Sequence, residues 1–258
     1  MQPRFRMFAG PNGSGKTHLF KYLRSQTYIH TEVYVNADEI EKKLSESLQF
    51  HFNAYRVKVS DEDFKKHIRQ SGILKKIANK SFLDKINIQS GVLKMNIHKS
   101  ELNSYIASFI ASYLSEKLIE SKQSFCYETV LSHPSKLKLL EQASKKGYKT
   151  YLYFVFTDDW HLNIERVKLR VRQGGHDVDD KKVEQRYFKS LKLFSEAAKV
   201  SASSYLIDNS TNFALMSEVK NGKNVYTAPN YPKWLRKYYV PECPVIFFFF
   251  YNKVNMLF

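Results

Sequence analysis

The sequence predicts an α/β fold in three layers, built on a mostly parallel sheet, with a largely helical insertion and an arginine-bearing helical lid. Three observations carry this. Short apolar runs alternate with longer helical patterns, the order that builds parallel strands with crossover helices. The first apolar run ends directly in the glycine-rich octet GPNGSGKT, residues 10–17. Late in the chain an arginine-rich helical pattern breaks at Gly174 and Gly175 and then resumes.

Taken in order, FRMFA (5–9) reads as a strand, and HLFKYLRS after the octet as the helix that follows it. VYVN (33–36) is a second strand, ending beside Asp38. Residues 45–120 depart from compact alternation. The basic stretch FKKHIRQSGILKKIANK and the helical ELNSYIASFIASYLSEKLIE mark a largely helical insertion, which either caps a cleft or serves the structure alone. FCYE (125–128), YLYFVF (151–156) and YLID (205–208) are the remaining strands. PSKLKLLEQASKK, IERVKLRVRQ and KKVEQRYFKSLKLFSEAAKV are the helices between them. The expected organisation is one domain over 1–212 with the insertion at about 45–120, and an extension over 213–258 packing on the core. In such folds ligands collect at the carboxyl ends of the strands. Here those ends carry the octet, Asn36 to Glu39, Glu128 with Thr129, and Asp158.

At 258 residues and 43% apolar content the chain can bury a substantial core. Its two cysteines, Cys126 and Cys243, lie far apart and suit a reducing compartment; a cytoplasmic protein is expected. No run reaches membrane-spanning length, so stable membrane insertion is not expected, and the start of the chain lacks the long apolar segment of a secretory signal. The terminal VIFFFFYNKVNMLF is apolar but broken by Asn252, Lys253 and Asn255, and reads as a covered tail. Forty-one basic residues against 25 acidic ones give a formal charge of +16, which draws anionic partners without choosing among them. A nucleic-acid surface is compatible with that charge; a basic surface whose cleft takes a phosphorylated ligand is favoured.

The octet carries the strongest chemical signal. Gly10, Gly13 and Gly15 let successive backbone amides curve around phosphate oxygens, and the following helix adds its N-terminal donors. Lys16 supplies a charge to the β- and γ-phosphates, and Thr17 a hydroxyl for magnesium. Nucleotide contacts are therefore expected from Gly10, Pro11, Asn12, Gly13, Ser14, Gly15, Lys16, Thr17 and the adjoining His18. The eight histidines and two cysteines form no compact zinc pattern, so Mg2+ arriving with ATP is the expected metal.

Binding alone does not establish turnover, and the acidic residues bear on that. Asp38, in NADEI, either reaches an acceptor hydroxyl or a metal-bound water, or caps the helix beginning EIEKKL. Glu128 enters from another strand, to bind acceptor hydroxyls, position Asp38, help hold the metal, or serve as a buried structural carboxylate. Thr129 is a cap or a second polar contact. In NIERVKLRVRQGGHDVDDKKVEQRY, Arg172 and Arg186 bracket the glycine pair and are the preferred phosphate contacts, with Arg166 and Arg170 in reserve. His176 contacts a ligand or caps a turn, with a non-catalytic role favoured. Asn209, in DNS (208–210), either orients the base of the nucleotide or belongs to a turn.

Together GPNGSGKT, VNADEI, YETVLS, RVKLRVRQGGHDVDDKKVEQRYFKSL and LIDNS resemble the zeta-toxin-like family of P-loop kinases, especially its chromosomally encoded branch. The resemblance spans residues 4–212, interrupted by the insertion. It implies a P-loop kinase fold and transfer of phosphate from ATP to the 3′-hydroxyl of UDP-N-acetylglucosamine. It makes Lys16 the phosphate-binding lysine, Thr17 the magnesium ligand, Asp38 the base, Glu128 the acidic acceptor-binding residue, and Arg172 and Arg186 the lid arginines. The first of those two can shift to Arg166 or Arg170. It also implies a protein antitoxin as partner.

Overall fold

The structure is a computed structural model that describes residues 2–31, 33–77, 81–175 and 177–241. His176, Cys243 and the terminal apolar run lie outside the described residues, as does the end of the extension. The chain begins with β1 (Arg4–Ala9), α1 (Lys16–Ser25), β2 (Tyr34–Asn36) and α2 (Ala37–Ser47). It continues through β3 (Gln49–His51), α3 (Asp61–Ser71), β4 (Ile86–Gln89), β5 (Val92–Met95) and α4 (Ser104–Glu120). Next come β6 (Phe125–Thr129), α5 (Ser135–Lys145), β7 (Lys149–Phe156), α6 (Trp160–Arg172) and α7 (Asp180–Val200). The last elements are β8 (Ser203–Asp208), β9 (Ala214–Lys220) and β10 (Lys223–Thr227). Two compact units result: Val33–Tyr127, and the segments before and after it, with the division inside β6.

In the unit built from the chain's two ends, the strands run in the order β10, β9, β8, β7, β1. β1, β7 and β8 are parallel, and β9 and β10 add antiparallel neighbours. The register explains the layering. Phe8 pairs with Tyr153, and Tyr153 with Tyr205, so all three rings stand on one face and stack at 4.9 and 5.0 Å. The Phe20 ring of α1 meets Phe8 edge-on at 5.5 Å. One residue along β7, on the opposite face, Phe154 meets Phe194 of α7 at 5.0 Å. Helices therefore cover both faces, which is why β1 is almost wholly buried rather than alternating.

The extension expected after residue 212 supplies β9 and β10. Its alternation was not legible because register shifts interrupt both pairings, between Leu206 and Ile207 and between Asn224 and Tyr226. A buried polar pair, Ser217 with Asn224 at 2.7 Å, further blurs the apolar pattern.

In the Val33–Tyr127 unit, Asn36 caps α2, Ser60 caps α3 and Asn103 caps α4 through side-chain oxygens. The strands beside those helices include a three-stranded antiparallel sheet, β3-β5-β4, inside the stretch expected to be largely helical. Its strands are three or four residues long, too short for a clear period. One signal was present: Ser90 and Gly91 sit between alternating INIQ and VLKM, and both take positive φ, 51° and 74°, as the two-residue hairpin turn requires. Phe50, Phe52, Phe64, Phe109 and Tyr113 form the aromatic core that joins this sheet to α3 and α4.

Candidate active site

The octet turns from β1 into α1 with Gly15 at the helix start in the left-handed region, φ 96°. Close approach limits all three of its glycines. A Cβ on Gly13 would stand 2.4 Å from the Asn163 carbonyl oxygen of α6, and one on Gly15 would stand 2.2 Å from the Asn209 amide nitrogen. Lys16 is 6% exposed and donates from Nζ to the Pro11 carbonyl at 2.8 Å, so its ammonium folds over the loop it would share with phosphate. The Ser14 hydroxyl is buried in the same turn without a hydrogen-bond partner.

At the first turn of α1, the Thr17 hydroxyl lies 3.1 and 2.9 Å from the two carboxylate oxygens of Glu128 at the end of β6. Both residues belong to the same unit. A hydroxyl and a carboxylate side by side are hard oxygen donors of the kind Mg2+ takes together with substrate phosphates and water. Among the described residues no group of three or more histidines, cysteines or acids could hold a metal by itself. The donor set thus fits an ion that arrives with a nucleotide.

Side chains from three directions meet the loop. The Asn163 amide of α6 donates to the Asn12 carbonyl at 2.6 Å and pairs with the Thr157 hydroxyl at the end of β7. The Asn209 amide, just past β8, donates to the Ser14 carbonyl at 2.8 Å, while its backbone N–H donates to Phe156 at 2.8 Å. Arg186 of α7 donates to the Asn12 side-chain oxygen at 3.3 Å. Asp208 accepts from the backbone and hydroxyl of Ser210, so the DNS triplet is a turn and Asn209 acts on the loop from within it. His18 is exposed, its ring edge-on to Phe213 at 5.6 Å.

The arginines separate by what they touch. Arg186 reaches the loop, as above. Arg166 spends its guanidinium on the carbonyls of Asn209 and Ser210, at 2.8 and 3.1 Å. The Arg170 carbonyl closes α6 by accepting from Gln173 and Gly175, and Arg172 is exposed in the last turn of that helix. α6 and α7 are pinned by an apolar cluster of Ile164, Val167, Val178 and Val183. Tyr187 of α7 donates to the Thr157 carbonyl at 2.5 Å. Burial, with Asp158 nearby, holds its phenol well above the usual range, so it remains a donor.

Asp38 lies exposed in the first turn of α2, in the other unit. The cap of that helix is Asn36, whose side-chain oxygen accepts the Asp38 backbone N–H at 2.8 Å. The capping role open to Asp38 from sequence is thus filled by its neighbour two residues back. Thr129 accepts weakly from Leu131 at 3.5 Å in the turn after β6. Asn163 and Thr157 were missed in the sequence. The available signal was an amide on the apolar side of an amphipathic first turn, next to Ile164 and one turn before Val167.

Strand, glycine-rich loop and helix, braced from β7, β8 and α6, define an α/β P-loop kinase fold. Residues 92–220, half of the chain, match the zeta toxin family, and the chain belongs to that family. Glu128, the arginines and Asn209 lie inside the matched span; the phosphate loop and Asp38 precede it. The fold is similar to the crystal structure of the AvrRxo1-ORF1:-ORF2 complex with ATP, at TM-score 0.58 and 13% identity over 95% of this chain and 66% of that one. The same complex with sulphate ions matches at TM-score 0.56 and 13% identity, with the same coverage. The PezAT chromosomal toxin–antitoxin system of Streptococcus pneumoniae gives TM-score 0.48 and 12% identity, over 95% of this chain and 80% of that one. The chain spans 66%, just under two thirds, of the length of the AvrRxo1 chains it matches. No curated protein sequence matches it. No helix among the described residues is long and apolar enough to cross a membrane.

Proposed function

We propose that this chain is an ATP-dependent kinase that transfers the γ-phosphoryl group to a hydroxyl of a small molecule, with the sugar 3′-hydroxyl of UDP-N-acetylglucosamine as leading acceptor. The observation that carries the reading is the pairing of Thr17 with Glu128 beside a loop whose lysine is already folded inward. A strand-end carboxylate at that hydroxyl supplies the hard oxygens that Mg2+ takes with substrate phosphates, the ion phosphoryl transfer requires. The acceptor itself rests on the family resemblance.

In this reading Lys16 exchanges the Pro11 carbonyl for the β- and γ-phosphate oxygens, and the loop amides take the remaining charge. Thr17 and Glu128 would hold Mg2+, which when bound neutralises phosphate charge. Arg186 is the proposed first lid arginine for the γ-phosphate, supported by its hydrogen bond to the Asn12 side chain at 3.3 Å. Arg172 is the proposed second lid arginine, with Arg170 as its substitute; Arg166 serves the loop after β8. Asp38 accepts the proton of the acceptor hydroxyl as the new O–P bond forms and the bridging bond to ADP breaks. Glu128 is also the proposed acidic acceptor-binding residue, with Thr129 as the second acceptor contact. A cytoplasmic location is proposed from the two widely separated cysteines, and a protein antitoxin as partner on the family ground.

The test is incubation with γ-labelled ATP, Mg2+ and a panel of UDP-N-acetylglucosamine, other nucleotide sugars and oligonucleotides, with mass identification of labelled product. A labelled sugar nucleotide is the expected result. Label confined to RNA or DNA ends would overturn the acceptor class, and ATP binding without any labelled acceptor would overturn the kinase.

A further inference from the structure

We propose that Asn163 is a positioning residue for the triphosphate: it holds the Asn12 carbonyl outward and so aims the next amide of the phosphate loop inward before nucleotide arrives. The inference rests on the reading of this loop as the ATP site. Asn163 is fully buried. A buried primary amide must be satisfied, and its orientation is fixed here because a carbonyl can only accept. Its NH2 therefore faces the Asn12 carbonyl at 2.6 Å and its oxygen faces the Thr157 hydroxyl.

The consequence follows from peptide planarity. In a trans peptide the N–H points opposite to the C=O of the same unit. Holding the Asn12 carbonyl from outside therefore points the Gly13 N–H in the opposite direction. The Asn209 amide does the same two residues on, where its hold on the Ser14 carbonyl, 2.8 Å, sets the Gly15 N–H. These two N–H groups, with the Ser14 N–H between them donating to the Pro11 carbonyl at 3.3 Å, form the start of an anion cradle. Built in advance, such a cradle spares the bound state the ordering of the loop.

α6 serves both holds. Asn163 and Arg166 are three residues apart, so they share a face of the helix. Asn163 touches the loop directly; Arg166 secures Asn209 through its carbonyl at 2.8 Å. The same face approaches Gly13 so closely that a Cβ there would meet the Asn163 backbone. The start of the first helix of the arginine-bearing segment is therefore part of the phosphate-loop scaffold.

The full-length chain tests this through four variants: Asn163→Ala, Asn163→Asp, Thr157→Val and Thr157→Ser. Affinity for ATP, ADP and inorganic tripolyphosphate is measured by calorimetry, alongside the ligand-free thermal midpoint and, where transfer is detected, KM for ATP against kcat. Losing the hold on Asn12 should weaken tripolyphosphate and ATP by about tenfold in both Asn163 variants, the scale of one hydrogen bond acting on a charged ligand. Thr157→Val should weaken both ligands in the same direction. Thr157→Ser, which keeps the hydroxyl, should restore affinity to within about twofold, the scatter expected of a neutral change. KM for ATP should rise with the dissociation constant while kcat changes little. A fall in thermal midpoint with unchanged affinity in Thr157→Val and the folded Asn163 variants would overturn the proposal. Wild-type protein that binds neither ATP nor tripolyphosphate would overturn it as well. Wild-type protein that binds both but transfers to no acceptor would sink the kinase reading and leave the positioning role standing on the affinities.

Discussion

The Thr17 hydroxyl sits between the two carboxylate oxygens of Glu128, 2.9 and 3.1 Å away, at the first turn of the helix that follows the phosphate loop. One proton cannot serve two acceptors fully, so the contact is a shared one that a cation can replace without leaving either group unsatisfied. Glu128→Gln keeps the shape and removes the charge. It should raise the Mg2+ concentration needed for half-maximal ADP binding by about tenfold, as loss of one carboxylate from a hard-cation site would. ADP binding in chelator should change little; a magnesium titration followed by nucleotide fluorescence checks both.

Lys16→Ala removes the ammonium that lies over the loop. ATP affinity should fall roughly ten- to a hundredfold, the range for a hydrogen bond between charged groups. The thermal midpoint without nucleotide should change little, because the Pro11 carbonyl that loses the ammonium still accepts from the Ser14 backbone N–H. Calorimetry and a thermal melt on the same sample separate the two.

Glycine positions distinguish close approach from turn geometry. Gly13→Ala puts a methyl 2.4 Å from the Asn163 carbonyl at φ 75°, so the loop must leave α6. ATP binding should be lost and the protein destabilised. Gly174→Ala, at φ 82° with nothing within 4 Å, should cost only about 1 kcal/mol of left-handed backbone strain and keep ATP binding. Denaturant melts and binding of both variants make the comparison.

The α3–α4 contact carries a pH signature. Asp63 accepts from Tyr113 at 2.7 Å and pairs with Lys117 at 2.8 Å. Burial alone would raise the Asp63 carboxyl, but Lys117 and Tyr113 outweigh it and hold it below its ordinary 3.8. Burial would likewise lower Lys117, yet Asp63 and Glu120 hold it above its ordinary 10.5. A depressed carboxyl stabilises above its unfolded value and loses that as pH falls through its folded one; a raised lysine stabilises below its unfolded value and loses that as pH rises through its folded one. Stability from this pair is therefore level between those limits and declines outside them. Lys117→Met should cost about 1–2 kcal/mol at neutral pH, allowing for solvent at the Asp63 carboxylate, and the gap from wild type should close below pH 3.8. Denaturant midpoints across pH measure it.

Much of the phosphate end was legible because its constraints are local. An apolar run into GPNGSGKT fixes strand, loop and helix within some twenty residues, and β7, β8, α6 and α7 announce themselves by period. What escaped depends on distant partners. Asn163 gains its meaning from a carbonyl 151 positions away, and Thr157 from Asn163. Arg166 resembled the other helical arginines until its guanidinium was seen on the carbonyls of Asn209 and Ser210. β3, β4 and β5 were too short to show alternation, although the Ser90–Gly91 turn was there to find.

The most direct test of the central claim compares wild type with Asp38→Asn for label transfer from γ-labelled ATP to UDP-N-acetylglucosamine, with ATP binding measured on both. The account expects a labelled sugar nucleotide from wild type. It expects transfer reduced by about a hundredfold or more in Asp38→Asn, the lower range for loss of a general base, with ATP affinity largely retained. Full transfer by Asp38→Asn would contradict the base, and wild-type protein that binds ATP yet labels no acceptor hydroxyl would contradict the kinase.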